Sequence, residues 1–254
     1  MPQPSAKAGP GWAKRTPYNR GQIIYRLAEM LEARKADMAD ALRLGAAATS
    51  PRNGKARGRA RPLSKSAAAR EITATIDRLI HYAGWADKYE QVLGNVNPVA
   101  SPHFNFTVTE PMGIIGLLAP EEAPLLALVS LVAPAITAGN TVVALASTAQ
   151  PYPAIVLGEM LATSDLPGGV VNLLTGFRKE LVPTFATHTH LRAIAGVASA
   201  EERKQLKLAA ADSVKRVKLI QAEEPVDWFS NKVEGVYEIR THVEFKTIWH
   251  PIGA

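Results

Sequence analysis

Cysteine is absent from the 254 residues, which removes disulfides, thiolate metal sites and any mechanism that uses a cysteine nucleophile. Long apolar runs are also missing. The longest candidate, Leu117 to Val132, is broken by Pro120, Glu121, Glu122 and Pro124, short of the roughly 18 to 20 apolar residues of a membrane span. The N-terminal "MPQPSAKAGPGWAKR" has basic residues but no apolar stretch behind them, unlike a secretory signal. These absences predict a cytoplasmic chain without a membrane role. Acids are absent between Arg52 and Lys65, where Arg52, Lys55, Arg57, Arg59, Arg61 and Lys65 supply positive charge. That one segment accounts for the formal net charge of +6, so the rest of the chain is close to neutral. A solvated charge run without interleaved aromatics places nucleic-acid binding last among the functions considered.

What is present describes a globular protein, with 47% hydrophobic residues in periodic patterns. From Tyr18 to Leu44, Ile23, Ile24, Leu27, Met30, Leu31, Met38 and Leu42 recur at helical spacing and predict one helix or a broken pair. "SPRNGKARGRARPLSK", Ser50 to Lys65, reads as a loop, because helices do not tolerate that density of Gly and Pro. Helical spacing resumes from Ser66 to about Tyr89, with Ile72, Ile76, Leu79, Ile80, Ala83 and Trp85 on the apolar side. "FNFTVTE" alternates Phe104, Phe106 and Val108 against Asn105, Thr107 and Thr109, the period of a half-buried strand. Beyond Gly113 the chain alternates apolar strand-like runs ("GIIGLLAP", "TVVALA", "GVVNLLTG", "LRAIAGV", "VKRVKLIQ") with helical stretches over 121–137, 154–163 and 201–211. Such alternation predicts an α/β fold with a doubly wound parallel sheet. The tail "YEIRTHVEFKTIWH" returns to strand periodicity, with Val243, Phe245, Thr247 and Trp249 on one side. The expected division is 1–110 for the helices, basic loop and first flap strands, 111–222 for the core, and 223–254 for a linker and terminal strand.

The residues that invite a chemical reading are few. In "LLAPEEAPLL", Glu121 and Glu122 sit within an apolar run, as either an acid/base pair or acids in the first turn of a helix, where the dipole favours them. Neighbours at a helix start seldom converge on one atom, so the second reading is preferred. His188 and His190 lack a third ligand at metal-like spacing and read as a surface pair, so no metal is expected. Gly113 and Gly116 read as sites of close packing, because the third glycine of a dinucleotide fingerprint is absent.

"YAGWADK", "TEPMGIIGLLAP", "LVAPAITAGNTVV", "LPGGVVNLLTG" and "AADSVKRVKL", in that order, resemble the cofactor-binding half of the NAD(P)-dependent aldehyde dehydrogenase superfamily. "VEFKTIWHPIG" resembles that family's C-terminal oligomerisation strand. The resemblance implies a Rossmann-like core with a small antiparallel β oligomerisation flap. It also implies functional positions, and at each of them this sequence departs. The asparagine of the oxyanion hole is matched by Glu122, which has no N–H to donate. The segment whose lysine and glutamate hold the adenosine ribose is matched by Leu145, Ala146, Ser147 and Thr148. The glycine turn facing the pyrophosphate is matched by Ala198 to Arg203, where Ser199 is the one remnant of a cofactor site and Arg203 reads as a solvated helix arginine. The general-base glutamate is matched by Ile220. A complete family member then continues into a domain carrying the nucleophilic cysteine, whereas here "AEEPVDWFSNKVEGV" leads to the terminal strand.

The chain thus resembles the cysteine-free second module of two-module family members. The implied expectations are no catalytic residue, no cofactor (NAD(P) only at a degenerate site), and a structural or regulatory role as a homodimer or a hetero-oligomer with a complete aldehyde dehydrogenase. Phe104, Phe106, Val108, Val243, Phe245 and Trp249 are the oligomerisation residues so implied. The alternative is an NAD(P)-binding subunit that contributes to aldehyde oxidation.

Overall fold

The computed structural model describes residues 3–48 and 63–253. Arg52, Lys55, Arg57, Arg59 and Arg61 of the expected basic loop lie outside the described residues; Lys65 opens a helix.

Five helices come first: α1 (Gln3–Ala13), α2 (Pro17–Ala33), α3 (Lys35–Ala48), α4 (Lys65–Trp85) and the short α5 (Tyr89–Leu93). The expected helix over 18–44 is the broken pair α2 and α3, parted at Arg34. Thr16 caps α2 by accepting from the Asn19 N–H, and Ser64 caps α4 by accepting from the Ala67 N–H. The buried face of α4 carries Ala68, Ile72, Thr75, Leu79 and Tyr82, whereas Ile80, expected on that face, is 41% exposed. α1 forms although its segment contains Gly9, Pro10 and Gly11, residues of low helix propensity. Trp12 holds it: the ring is buried and Nε1 donates to the Ile136 carbonyl at 3.0 Å.

The core is a five-stranded parallel sheet in the order β5 (Val171–Leu174), β4 (Thr141–Leu145), β3 (Ile114–Leu118), β6 (Leu191–Ala198), β7 (Arg216–Gln221). α6 (Leu126–Thr137) and α7 (Tyr152–Thr163) cover one face, and α8 (Arg178–Thr187) and α9 (Ala200–Ala211) the other. Alternation divides the strands between them: Ile115, Leu117, Val142 and Ala144 join the cluster that runs on into α2 and α4, while Ile114, Leu118, Val143 and Leu145 pack under α8 and α9. Gly116 lies under α8, where a Cβ would meet Phe185 at 2.9 Å, so this glycine serves close packing. Gly196 has φ +123°, and its Cβ would fall 2.1 Å from the Leu118 carbonyl oxygen.

Two expected boundaries are corrected. α6 begins at Leu126, not Glu121, so the paired acids precede the helix; Ala123, just before Pro124, adopts φ +45°, which a continuing right-handed helix does not allow. Tyr237 to Arg240, read as strand, belongs to α10 (Val236–Arg240), which turns Ile239 into the core; strand β8 (Val243–Pro251) follows.

A separate three-stranded antiparallel sheet has the order β1 (Asn95–Asn97), β2 (His103–Pro111), β8. β8 pairs with β2 of its own chain over its whole length, from Val243↔Pro111 to Pro251↔His103. The register sets Phe106 opposite Ile248 and Asn105 opposite Trp249, so Phe104, Phe106 and Val108 lie on one face, and Phe245 and Trp249 on the other. Phe104 and Trp249 are exposed, whereas Val243 is buried in the chain's own core. Among the described residues no helix is long and apolar enough to cross a membrane.

Candidate functional site

In a doubly wound sheet, ligands enter the crevice beyond the carboxyl ends of the strands. Here that crevice lies above Leu118, Leu145 and Ala198, and its walls are charged.

Glu121 follows β3 and reaches across to the loop after β4. Its carboxylate accepts from the Ser147 hydroxyl, from the Thr148 N–H at 3.3 Å and from the Ala149 N–H at 2.9 Å. The Thr148 hydroxyl in turn donates to the Gly176 carbonyl at 3.0 Å, closing the loops after β4 and β5 on each other. The donors of that first loop are therefore satisfied by a side chain of the same protein. Glu121 and Glu122 do not form a pair: Glu121 turns to this loop, while Glu122 lines an acidic recess with Glu223 and Glu224.

The α6 N-terminus that the sequence offered to these acids is taken by another. Glu71 of α4, buried, accepts from the Leu125 N–H at 2.9 Å and the Leu126 N–H at 3.2 Å. Burial raises its pKa, and the two amides partly oppose that shift.

Over β3 and β6, Arg178 from α8 donates to the carbonyls of Ala119 (3.0 Å) and Val197 (2.7 Å) and grips Glu202 with Nε and Nη2 (3.0 and 2.9 Å). Glu202 also accepts from the Ser199 N–H, while Ser199 Oγ accepts from the Glu202 N–H. This capping box fixes the start of α9. Burial would raise the Glu202 pKa, but Arg178 and the Ser199 amide outweigh it and hold the carboxyl below its ordinary value. Ser199, the expected cofactor remnant, is engaged as a helix cap. Arg203 is not simply solvated, since its Nη1 donates to Gln221 Oε1 at 2.5 Å. Ile220, at the position matched to the general base, faces an apolar wall with Trp228.

Sequence reasoning missed the residues that close this crevice. Arg178 lies on α8, a helix not expected at all, although Val182, Phe185 and Ala186 carry its periodicity. The stretch expected to be a linker is also packed. Trp228 is buried with Leu126, Ala127 and Val197, and Arg78 donates to the carbonyls of Trp228 (3.1 Å) and Val233 (3.2 Å). Arg78 Nε lies 2.7 Å from Glu234 without directing its N–H at the carboxylate, so that contact is ionic rather than hydrogen-bonded. Among the described residues no group of three or more histidine or acidic side chains is placed to hold a metal.

The aldehyde dehydrogenase family model matches residues 3–222, nearly all of the described chain up to the end of β7. The chain belongs to the aldehyde dehydrogenase family. It is 30% identical over 208 residues to the putative aldehyde dehydrogenase DhaS of Bacillus subtilis and 34% identical over 209 residues to an aldehyde dehydrogenase of Alternaria alternata, covering 82% of this chain in each case. It spans 39% of the length of either relative. A solved putative aldehyde dehydrogenase from Burkholderia cenocepacia superposes with a TM-score of 0.74 at 26% identity, over 87% of this chain and 42% of that one.

Proposed function

We propose that this family member is catalytically inactive and acts as a structural or regulatory subunit, as a homodimer or beside a complete aldehyde dehydrogenase. The observation that carries this reading is the self-filled crevice. Glu121 occupies the amides after β4, and the Arg178–Glu202 pair sits over β3 and β6. A dinucleotide does not fit residues so arranged: Glu121 fills the loop matched to the adenosine ribose, Glu202 holds the Ser199 amide in the turn matched to the pyrophosphate, and Ser199 already caps α9. Chemistry is unsupported at the matched positions as well, since Glu122 has no donor for an oxyanion and Ile220 cannot take a proton. Between β7 and β8 the chain supplies only the packed stretch 222–242.

The decisive test is nucleotide binding by the purified chain, followed by assay with aliphatic and aromatic aldehydes. Calorimetry is expected to give millimolar or undetectable NAD and NADP affinity, with no steady NADH or NADPH production. Micromolar binding would favour the reading as a nucleotide-binding subunit of an active oligomer, and turnover by the isolated chain would refute inactivity outright.

A further inference from the structure

β7 closes one side of the parallel sheet: β6 lies along its inner edge, and among the described residues no strand lies along its outer edge. The peptide groups of a strand point alternately to its two sides, so about half of those in β7 face outward. Among the described residues, Arg216 to Ile220 make no backbone hydrogen bond outside the β6 ladder. That ladder keeps one register from Arg216 to Gln221, with no bulge and no proline to spoil the edge.

Side chains along β7 alternate in kind as well as in direction. Lys218 and Ile220 point toward α6 and the stretch 222–242, which folds back as a roof on that face, while Leu219 packs with the α8 and α9 cluster on the other. By the same alternation Arg216 joins Lys218, and Val217 joins Leu219. Arg216 and Lys218 also line an open groove with Tyr237, Glu238 and Arg240 of α10 and Phe245 of β8. The groove is positive. Lys218 pairs with Glu238 at 2.7 Å and Arg216 with Glu244 at 3.1 Å, but Arg240, 5.9 Å from the Phe245 ring centre, has no acid within ion-pair distance among the described residues. Charged side chains commonly guard a free edge against an incoming strand. Here Glu238 ties Lys218 to α10 and Glu244 ties Arg216 to β8, so neither is free to take that role.

We propose that β7 receives an extended segment of a partner protein as a further strand of the sheet, one in which acidic residues alternate with β-branched apolar ones. The outward peptide groups supply the hydrogen bonds, and side chains of the added strand fall beside those of β7 on each face. On the groove face they meet Arg216, Lys218 and the unmatched Arg240, which selects carboxylates. On the α9 face they meet Val217 and Leu219, which selects valine or isoleucine. β7 offers this edge whether or not the crevice above the strands binds a nucleotide, and without use of β8.

The test uses the full chain and a probe matched to the six residues of β7, acetyl-Glu-Val-Glu-Val-Glu-Val-amide. Calorimetry at low salt is expected to give saturable binding with a Kd of about 1 mM or tighter. The same peptide N-methylated at its third and fourth residues loses one N–H on each edge and should bind at least about tenfold more weakly, as should acetyl-Lys-Val-Lys-Val-Lys-Val-amide. Arg240→Glu, at an exposed position, should weaken the parent peptide about tenfold. Hydrogen exchange locates the added strand: amides within 216–221 should gain protection when the peptide binds. Absence of saturable binding up to about 20 mM, equal binding of the N-methylated peptide, binding unchanged by Arg240→Glu, or protection that falls on 243–251 instead of 216–221 would overturn the proposal. Should Arg240→Glu disturb folding, the exchange and N-methyl comparisons decide it alone.

Discussion

Glu71 and Glu202 both serve helix N-termini, yet their charges bear on stability in opposite senses. The Glu71 pKa is raised on folding, so the folded state holds that proton more tightly, and its carboxylate lowers stability as pH rises from the unfolded pKa through the folded one. The Glu202 pKa is lowered, so its contribution is present above the unfolded pKa and is lost as pH falls through the folded one. Glu71→Gln keeps an acceptor for the Leu125 and Leu126 amides and removes the buried charge; it should stay within about 1 kcal/mol of the parent at neutral pH. Glu71→Ala should cost about 1–3 kcal/mol by leaving both amides unpaired. Urea denaturation at several pH values separates the two. Arg178→Met removes donors to two carbonyls and to Glu202, and should cost about 2–4 kcal/mol in the same measurement. His242 adds a third pH effect: with a folded pKa of about 3 against 6.5, the unfolded chain takes up the proton first. Stability should therefore fall as pH drops from about 6.5 toward 3, and the slope should flatten in His242→Phe.

At the scale of elements, the stretch 222–242 is held mainly by Trp228. Trp228→Ala should cost about 3–5 kcal/mol and loosen the roof over α6, to be read from thermal unfolding and hydrogen exchange. The sequence makes some elements plain and hides others for physical reasons. β3 and β4 are legible because strands covered on both faces are apolar throughout, and the glycine at 116 signals the close approach of α8. The start of α6 is not legible from its own neighbourhood, since its capping acid is Glu71, remote in sequence on α4. The same holds for the crevice. Departures from the family motifs at Glu122, Ile220 and 198–203 can be read residue by residue, but Glu121 reaching Ala149 and Arg178 reaching Glu202 are products of folding. Ile80 shows the complementary error: helical spacing places it beside a buried stripe whose true edge is set by packing with α2 and α6.

For the whole molecule, the β1–β2–β8 sheet is the surface on which the proposed assembly is to be tested. Its two faces carry separate apolar groups, and the outer edge of β8 has no strand paired to it among the described residues. An exposed edge flanked by Phe245 and Trp249 favours association. Light scattering is expected to find a dimer or larger assembly. Phe245→Asp with Trp249→Asp should dissociate or precipitate it, and Phe104→Asp with Phe106→Asp tests the opposite face separately; a stable monomer at high micromolar concentration would refute an assembly role. The way 222–242 is fastened has a consequence for covalent continuity. Glu223, Glu224 and Pro225 are exposed, while beyond them Trp228, the Arg78–Glu234 contact, the Asn140 bond to the His242 carbonyl and the whole of β8 grip the body. A protease that cuts at this exposed corner would sever the backbone without releasing the piece, giving two bands on a denaturing gel and one particle in solution. The protein is thus a natural candidate for division into two complementing fragments, with β8 and its Trp228 anchor delivered in trans as a peptide.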